Sequence, residues 1–176
     1  MPLYLVASHH HYDAIIAGYF TTIMLIAGLV GEMVAAPISD RTGKRVPFII
    51  ISTVVSTPLL FLLNAPMDQL TLLLVLIGIG FFFYLGVPPN TAFQTEVTPR
   101  DSQGLAFGLL FSIGAIPGAL SPIIFGWIGD VYGLQASVMF LVITSLLAAV
   151  FSLLLREKKG AAKDVAIALD PFIVPE

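Results

Sequence analysis

Five long apolar stretches constrain what this chain can fold into. They cover residues 14–38, 46–64, 70–93, 104–128 and 135–155. Each holds about 19 to 25 residues, enough for a helix to cross the roughly 30 Å hydrocarbon layer of a bilayer. Because lipid offers no partners for backbone N–H and C=O groups, and because period-two alternation is absent, we predict five transmembrane helices rather than strands.

The composition also favours a membrane environment. Hydrophobic residues make up 57% of the chain and charged residues only 11%, whereas an ordinary soluble domain carries about 25% charged residues. The formal net charge is −3 and the basic residues are divided between short clusters, so a nucleic-acid partner is not predicted. We therefore predict an all-α polytopic membrane protein, with a bundle over residues 1–155 and a tail over residues 156–176.

The distribution of Lys and Arg predicts the orientation. Successive connections after each apolar stretch carry three, none, one, none and four basic residues. Basic residues favour the cytoplasmic side. Residues 39–45, residues 94–103 and the C-terminal tail are therefore predicted to be cytoplasmic, and residues 9–13 external. The predicted location is a cell membrane, either an inner or a plasma membrane.

The densest charge cluster is PISDRTGKR, which follows the first stretch. Its segment APISDRTGKR resembles the loop pattern G-x-L-x-D-R-x-G-R-[KR] of the major facilitator superfamily. The matching residues are Asp40, Arg41, Gly43, Lys44 and Arg45. Ala36 and Ile38 stand where the pattern has its first glycine and its leucine. A cytoplasmic loop explains the three bases, whereas topology alone requires neither the aspartate nor the glycine.

Two later segments resemble the same superfamily. QTEVTPRDSQGLAFG is similar to its junction between helices ten and eleven, and GAIPGALSPIIFGWIGDVYG is similar to its eleventh helix. The resemblance implies that the five stretches are helices eight to twelve of a twelve-helix protein, with MPLYLVAS as the end of helix seven. It implies a secondary transporter that moves a small solute by alternating access. Such a protein needs N-terminal helices from the same gene or from a second chain.

An internal similarity supports this interpretation. SDRTG (residues 39–43) and GDVYG (residues 129–133) share a small residue, an aspartate and a glycine at the same spacing. Three apolar stretches separate them, so they are predicted to lie on opposite sides of the membrane, as in an inverted repeat. A chance match in a glycine-rich sequence is the alternative.

Small residues in two of the stretches predict close helix packing. Gly28 and Gly31 lie in the first stretch, where Ala27, Gly31 and Ala35 recur every four residues. The fourth stretch carries Gly114, Gly118 and Gly126. Small residues let helix backbones approach closely in lipid. Flexing of the fourth helix is an alternative role, because Pro117 and Pro122 remove backbone donors.

Glu32 is the charged residue that falls inside an apolar stretch. An acid there costs about 2.5 to 3.5 kcal/mol on insertion scales, so such residues usually face a pathway or a partner. We hypothesise that Glu32 binds a coupling proton or pairs with a basic group. The alternative is a glutamate that reaches water near the inner interface. Thr21, Asn90 and Gln94 are further candidates for lining the pathway.

Glu96 and Arg100 lie in the third connection, which is predicted to be near Arg41, Lys44 and Arg45. The resemblance implies that these charges form a cytoplasmic latch that holds one conformation and opens in another. Ordinary solvation of loop charges is the alternative, because exposed ion pairs contribute little to stability.

No enzyme, cofactor or metal site is predicted. Three consecutive histidines, residues 9–11, cannot share a helix face, and the chain has no cysteine. No Ser-His pair or second membrane aspartate suggests catalysis within the stretches. The alternative functions are a membrane scaffold or regulatory subunit that moves nothing, and a half-size transporter that dimerises. Proton coupling, sodium coupling and uniport all remain open.

Overall fold

The computed structural model describes residues 14–156, and every regular element in that range is helical. The helices are α1 (Ala14–Thr42), α2 (Val46–Leu62), α3 (Gln69–Leu85), α4 (Val87–Val97), α5 (Gln103–Tyr132) and α6 (Leu134–Leu153), with a 3-10 turn at Arg100–Ser102. The expectations for the end of helix seven, the histidines and the tail beyond residue 156 lie outside the described residues.

Six α-helices form five rods, because α3 and α4 follow one another almost without interruption. Four rods are long and apolar enough to cross a membrane: Ile15–Thr42, Gln69–Val97, Arg100–Tyr132 and Leu134–Leu153. The fifth, α2, is a shorter apolar helix of 17 residues, about 25 Å long at 1.5 Å per residue. The predicted all-helical membrane fold is confirmed.

Helix α1 continues beyond the end of its apolar stretch. The sequence predicts a connection over residues 39–45, but the helix runs through Pro37 to Thr42 and places Asp40 in its last turn. An apolar stretch reports where the side chains become polar, whereas the backbone hydrogen bonds of a helix can continue through polar residues. Gly43 then stops the helix with φ of 61°, a backbone conformation that favours glycine. Pro47 occupies the second position of α2.

The rod formed by α3 and α4 is interrupted at Gly86. Pro88 and Pro89 have no N–H group, so they cannot donate to the carbonyls of Tyr84 and Leu85. Gly86 keeps a right-handed helical conformation, and its carbonyl accepts a 3.0 Å hydrogen bond from the Asn90 backbone N–H. The rod therefore lacks two backbone hydrogen bonds at the junction of α3 and α4.

The most extensive contact between two helices joins α1 to α3. A methyl group added at Gly31 would collide with the carbonyl oxygen of Phe81, and one added at Gly80 would collide with the carbonyl oxygen of Met24. At Gly28 the added carbon would lie 2.6 Å from the Tyr84 ring. Glycine at these positions lets the two backbones come nearly into contact, which maximises van der Waals attraction in lipid.

Hydroxyl groups join α2 to α6. The side-chain oxygens of Thr53 and Ser152 lie 3.0 Å apart, and those of Thr57 and Ser145 lie 2.8 Å apart. Hydrogen bonds between helices are favourable in an apolar surrounding because alternative partners are scarce. The hydroxyl pair Thr53–Ser152 lies toward the end of the bundle that contains Arg45, called the Arg45 end below.

Apolar packing and a helix cap define the opposite end of the bundle. Its core residues come from four rods or their connections and include Ala17, Phe20, Leu63, Leu72 and Val138. Asp68 caps α3 by accepting hydrogen bonds of 3.2 Å from the backbone N–H groups of Leu70 and Thr71. The hydrogen bond from the Thr71 side chain is the largest cause of the lowered pKa of Asp68. The Asp68 carboxyl group therefore stays ionised.

Helix α5 has few neighbours. It packs mainly against α6, and among the described residues none of its side chains is buried. Apart from nearby residues of α5 itself, no described atom lies within 4 Å of a carbon added at Gly114, Gly118 or Gly126. Close packing at these three glycines therefore stays a prediction that concerns surfaces outside residues 14–156.

We expect Gly31→Ala to destabilise the bundle by about 1 to 3 kcal/mol, the usual cost of forcing an extra carbon into a packed site. Gly18→Ala is the matched control, because the same helix offers open space there. That substitution should be neutral or stabilising by up to about 1 kcal/mol through helix propensity. Thermal unfolding in detergent measures both, and equal effects would contradict the close approach of α1 and α3.

Candidate functional site

Arg45 is the centre of a polar cluster at the Arg45 end. Its side chain is only 7% exposed. The Nη1 group donates to Asp40 Oδ1 at 2.6 Å and to Ser39 Oγ at 2.9 Å, while Nε donates to Glu96 Oε1 at 3.0 Å. One guanidinium group thus bonds to three side chains from two parts of the chain.

The local fold explains why these residues meet. Gly43 reverses the chain after α1, which brings Arg45 back over the last turn that holds Ser39 and Asp40. Ser39 is 1% exposed, and its hydroxyl donates to the Lys44 carbonyl while accepting from Arg45. Glu96 comes from the last turn of α4.

The electrostatics of the cluster depend on helix ends as well as on side chains. Asp40 and Glu96 both lie in the last turn of a helix, where the helix dipole disfavours a negative charge. The Arg45 guanidinium compensates both carboxylates. Burial lowers the pKa of Arg45, but the hydrogen bonds with Asp40 and Glu96 outweigh burial and raise that pKa above its ordinary value. Arg45 therefore remains charged, with an ion pair on each side.

The structure brings together only part of the predicted latch. Asp40, Arg45 and Glu96 are in direct contact, and Gly43 forms the turn between them. Arg41, Lys44 and Arg100 are exposed, and within residues 14–156 they make no ion pair. Sequence reasoning missed the contribution of Ser39, although a small polar residue next to Asp40 is a signal that could have indicated it.

Glu32 and Thr21 lie on α1, away from this cluster. The Thr21 hydroxyl donates to the Ala17 carbonyl at 2.8 Å, so it is bonded within its own helix. Glu32 is partly buried, and the part of the chain that the structure describes gives it no hydrogen bond or ion pair. Its coupling and pairing roles therefore stay predictions.

A cavity of about 820 Å³ lies between α2, the α3–α4 rod and α6. This volume is within the range of small-molecule sites. Asn90 lines it, whereas Glu32, Thr21 and Gln94 do not. Its polar lining consists of hydroxyl and amide groups, among them Ser52, Ser56 and Ser145, and no Asp, Glu, Lys, Arg or His among the described residues contributes.

Three of the hydroxyl groups that line this cavity donate their protons within their own helices. Ser52 donates to the Ile49 carbonyl at 2.8 Å, Ser56 donates to the Ser52 carbonyl at 2.5 Å, and Thr144 donates to the Phe140 carbonyl at 3.1 Å. At these three groups the bonds leave acceptor oxygens, and the Asn90 amide adds both donors and an acceptor to the lining. Within residues 14–156 the cavity therefore has no charged side chain that could neutralise a bare ion.

Comparison with known proteins identifies the sequence family. A family model described as the Major Facilitator Superfamily matches residues 1–172. A protein of Haemophilus influenzae described as a metabolite transport protein is 26% identical over 153 residues, which cover 84% of this chain and 36% of that protein. The glucose-6-phosphate exchanger SLC37A2 of Danio rerio is 36% identical over 64 residues, or 36% of this chain and 13% of the exchanger.

An uncharacterized protein of Archaeoglobus fulgidus is 32% identical over 72 residues, which cover 41% of this chain and 33% of that protein. The chain thus spans about a third or less of the length of these curated relatives. No solved structure matches the chain.

We expect Arg45→Gln to destabilise the protein by about 2 kcal/mol, the magnitude typical of a lost hydrogen bond to a charged group. The substitution leaves Asp40 and Glu96 without their shared cation at two helix ends. Arg41→Gln is the control, because it removes the same charge from an exposed position four residues away. Thermal unfolding in detergent tests the pair, and an equal loss for both variants would contradict the central position of Arg45.

Proposed function

The chain belongs to the Major Facilitator Superfamily, a family of membrane transporters, and from this premise we propose that it forms the C-terminal part of a secondary transporter. The proposed activity is the movement of a small solute across the membrane by alternating access. The Arg45 cluster is the observation that best supports this proposal, because alternating access needs a contact that forms in one conformation and breaks in another.

The cluster has the properties of a reversible latch. It ties the last turn of α4 to the connection between α1 and α2 through Glu96 and Arg45, two residues that are 51 positions apart. Charge-assisted hydrogen bonds are strong while they are made, yet their partners can be rehydrated when the contact opens. Because Asp40 is 66% exposed, water can reach the cluster from one side. Opening it therefore does not require a charge to cross the apolar core.

The transporter would be completed by partners outside the described residues. Because the chain spans only part of the length of its relatives, we propose that N-terminal helices, from the same gene or from a second chain, build the other wall of the solute pathway. The cytoplasmic placement of the Arg45 end and of the C-terminus belongs to the same proposal, and it rests on the distribution of basic residues.

Glu32 provides a route for coupling to protons. It is partly buried in α1 and has no counter-charge within residues 14–156. Acids inside spans usually face a transport pathway or a partner. In the proposed mechanism the Glu32 carboxylate accepts a proton from one side of the membrane and releases it to the other side as the two parts of the protein rock.

We expect Asp40→Asn in the complete protein to abolish solute uptake without preventing membrane insertion, because the neutral amide weakens the bond to Arg45. Asp101→Asn is the control, since it removes an exposed acid at the same end of the bundle. Uptake into cells or vesicles, with a panel of metabolites used to find the solute, measures transport. An active Asp40→Asn variant would refute the latch, and an inactive unmodified protein would favour a scaffold or regulatory subunit.

We expect Glu32→Gln to remove the dependence of uptake on pH while leaving the protein inserted, because a glutamine side chain cannot carry a proton. Uptake is measured across a range of external pH in the complete protein, again with Asp101→Asn as the matched loss of an acid. If the pH profile of the Glu32→Gln variant equals that of the unmodified protein, Glu32 does not carry the coupling proton.

A further inference from the structure

The polar groups that line the cavity of about 820 Å³ differ in whether their hydrogen bonds are already made. Six lining hydroxyl groups each bond to a backbone carbonyl or to another hydroxyl, namely those of Ser52, Thr53, Ser56, Thr144, Ser145 and Ser152. The Asn90 amide and the Tyr84 hydroxyl have no hydrogen-bond partner in the part of the chain that the structure describes. Both belong to the α3–α4 rod, and both can still bond to a bound molecule.

Asn90 occupies a position where an unpaired amide is costly. It falls inside the third apolar stretch, and the lining residues Phe83 and Val87 on the same rod are apolar. An amide without a partner in such a surrounding forfeits the hydrogen bonds that water would give it. The two donors and the acceptor of Asn90 therefore require a polar group of a bound molecule, or water, within the cavity.

The charges of the Arg45 end do not extend into this lining. Arg45 and Glu96 bond to each other at 3.0 Å, and neither residue lines the cavity. The described lining contains no other charged side chain. An ion entering the cavity would lose its hydration without gaining a counter-charge from residues 14–156. The lining therefore favours an uncharged molecule.

Most of the remaining lining is apolar. Leu60 and Ile79 line the cavity together with Phe83 and Phe151. Contact with such side chains stabilises apolar parts of a ligand in proportion to the area covered, whereas a few polar groups set its orientation. Asn90 and Tyr84 are the polar groups available for that second role.

We propose that the transported solute is an uncharged, mainly apolar organic molecule that binds in this cavity. Its polar group both donates and accepts a hydrogen bond, as a hydroxyl or a primary amide does, and bonds to the Asn90 side chain. The inference rests on the proposed transport function and adds the chemical class of the solute. It makes Asn90 the residue of this chain that selects the polar group.

Photolabelling of the full chain in detergent tests the chemical class. Three probes share one octyl chain that carries a diazirine, and they end in a hydroxyl, a carboxylate or an ammonium group near neutral pH. Mass spectrometry of peptides measures the label on residues that line the cavity. That label is divided by the label on exposed residues of α5, such as Leu105 and Ile113, which report the local concentration of each probe.

We expect this ratio to be about tenfold higher for the alcohol than for either charged probe, because the lining compensates neither charge. Equal ratios for the three probes, or a higher ratio for a charged probe, would overturn the inference.

A substitution at Asn90 tests the polar contact. Asn90→Leu should lower the ratio for the alcohol about tenfold, because the hydroxyl of the probe loses its partner. Thr91→Val is the matched control, since the Thr91 hydroxyl bonds to the Val87 carbonyl at 3.1 Å and does not line the cavity. Equal ratios in the two variants would remove Asn90 from the binding site.

A second pair of variants tests the location without removing a polar group. Ala148 lines the cavity, whereas Val150 is exposed on the same helix and does not line it. Ala148→Phe should abolish labelling of the cavity by the alcohol, and Val150→Phe should leave it unchanged. Labelling that persists in Ala148→Phe would show that the probe binds elsewhere and would overturn the inference.

The readout measures binding and not transport, so the two proposals can fail separately. A complete protein that transports a solute, but whose cavity does not prefer the alcohol, would overturn this inference alone. A protein whose cavity selects the alcohol through Asn90, but which moves no solute, would overturn the proposed function, and with it the role of the bound molecule as a solute.

Discussion

Lipid cannot form hydrogen bonds with the polypeptide backbone, and most of this structure follows from that constraint. Each rod satisfies its own N–H and C=O groups as a helix. Hydroxyl groups also form hydrogen bonds within their own helices: those of Thr21, Ser56 and Thr144 donate to backbone carbonyls one turn earlier. With few polar groups left over, the helices are held together by close backbone approach at Gly31 and Gly80 and by two hydroxyl pairs.

At the Arg45 end, ion pairs rather than close backbone packing connect the helix ends. Helices α1 and α4 end beside one another at the Arg45 end, and each carries an acid in its last turn. A single guanidinium group compensates both acids and both helix ends. Because both ion pairs depend on Arg45, loss of this one side chain would leave two helix ends without a compensating charge.

The sequence predicts the helical rods well, because an uncharged stretch of sufficient length has few alternatives in lipid. It does not predict where α1 ends, since the ladder of hydrogen bonds continues past Ile38 to Thr42. It also does not indicate which of Arg41, Lys44 and Arg45 binds the acids. That choice depends on the direction in which Gly43 turns the chain. Gly31 and Gly114 both lie among small residues of an apolar stretch, so the sequence predicts close packing at each. Among the described residues only Gly31 is packed against another helix, because the sequence of one helix does not specify its partner.

The hydroxyl pairs between α2 and α6 have a mechanical consequence. Thr53 with Ser152 and Thr57 with Ser145 are joined at two levels along the same helix pair, so sliding or rotation of either helix would break both pairs together. Helices α2 and α6 should therefore travel as one rigid body. Bending would then fall on the rod interrupted at Gly86, where two prolines have already removed the hydrogen bonds that resist it.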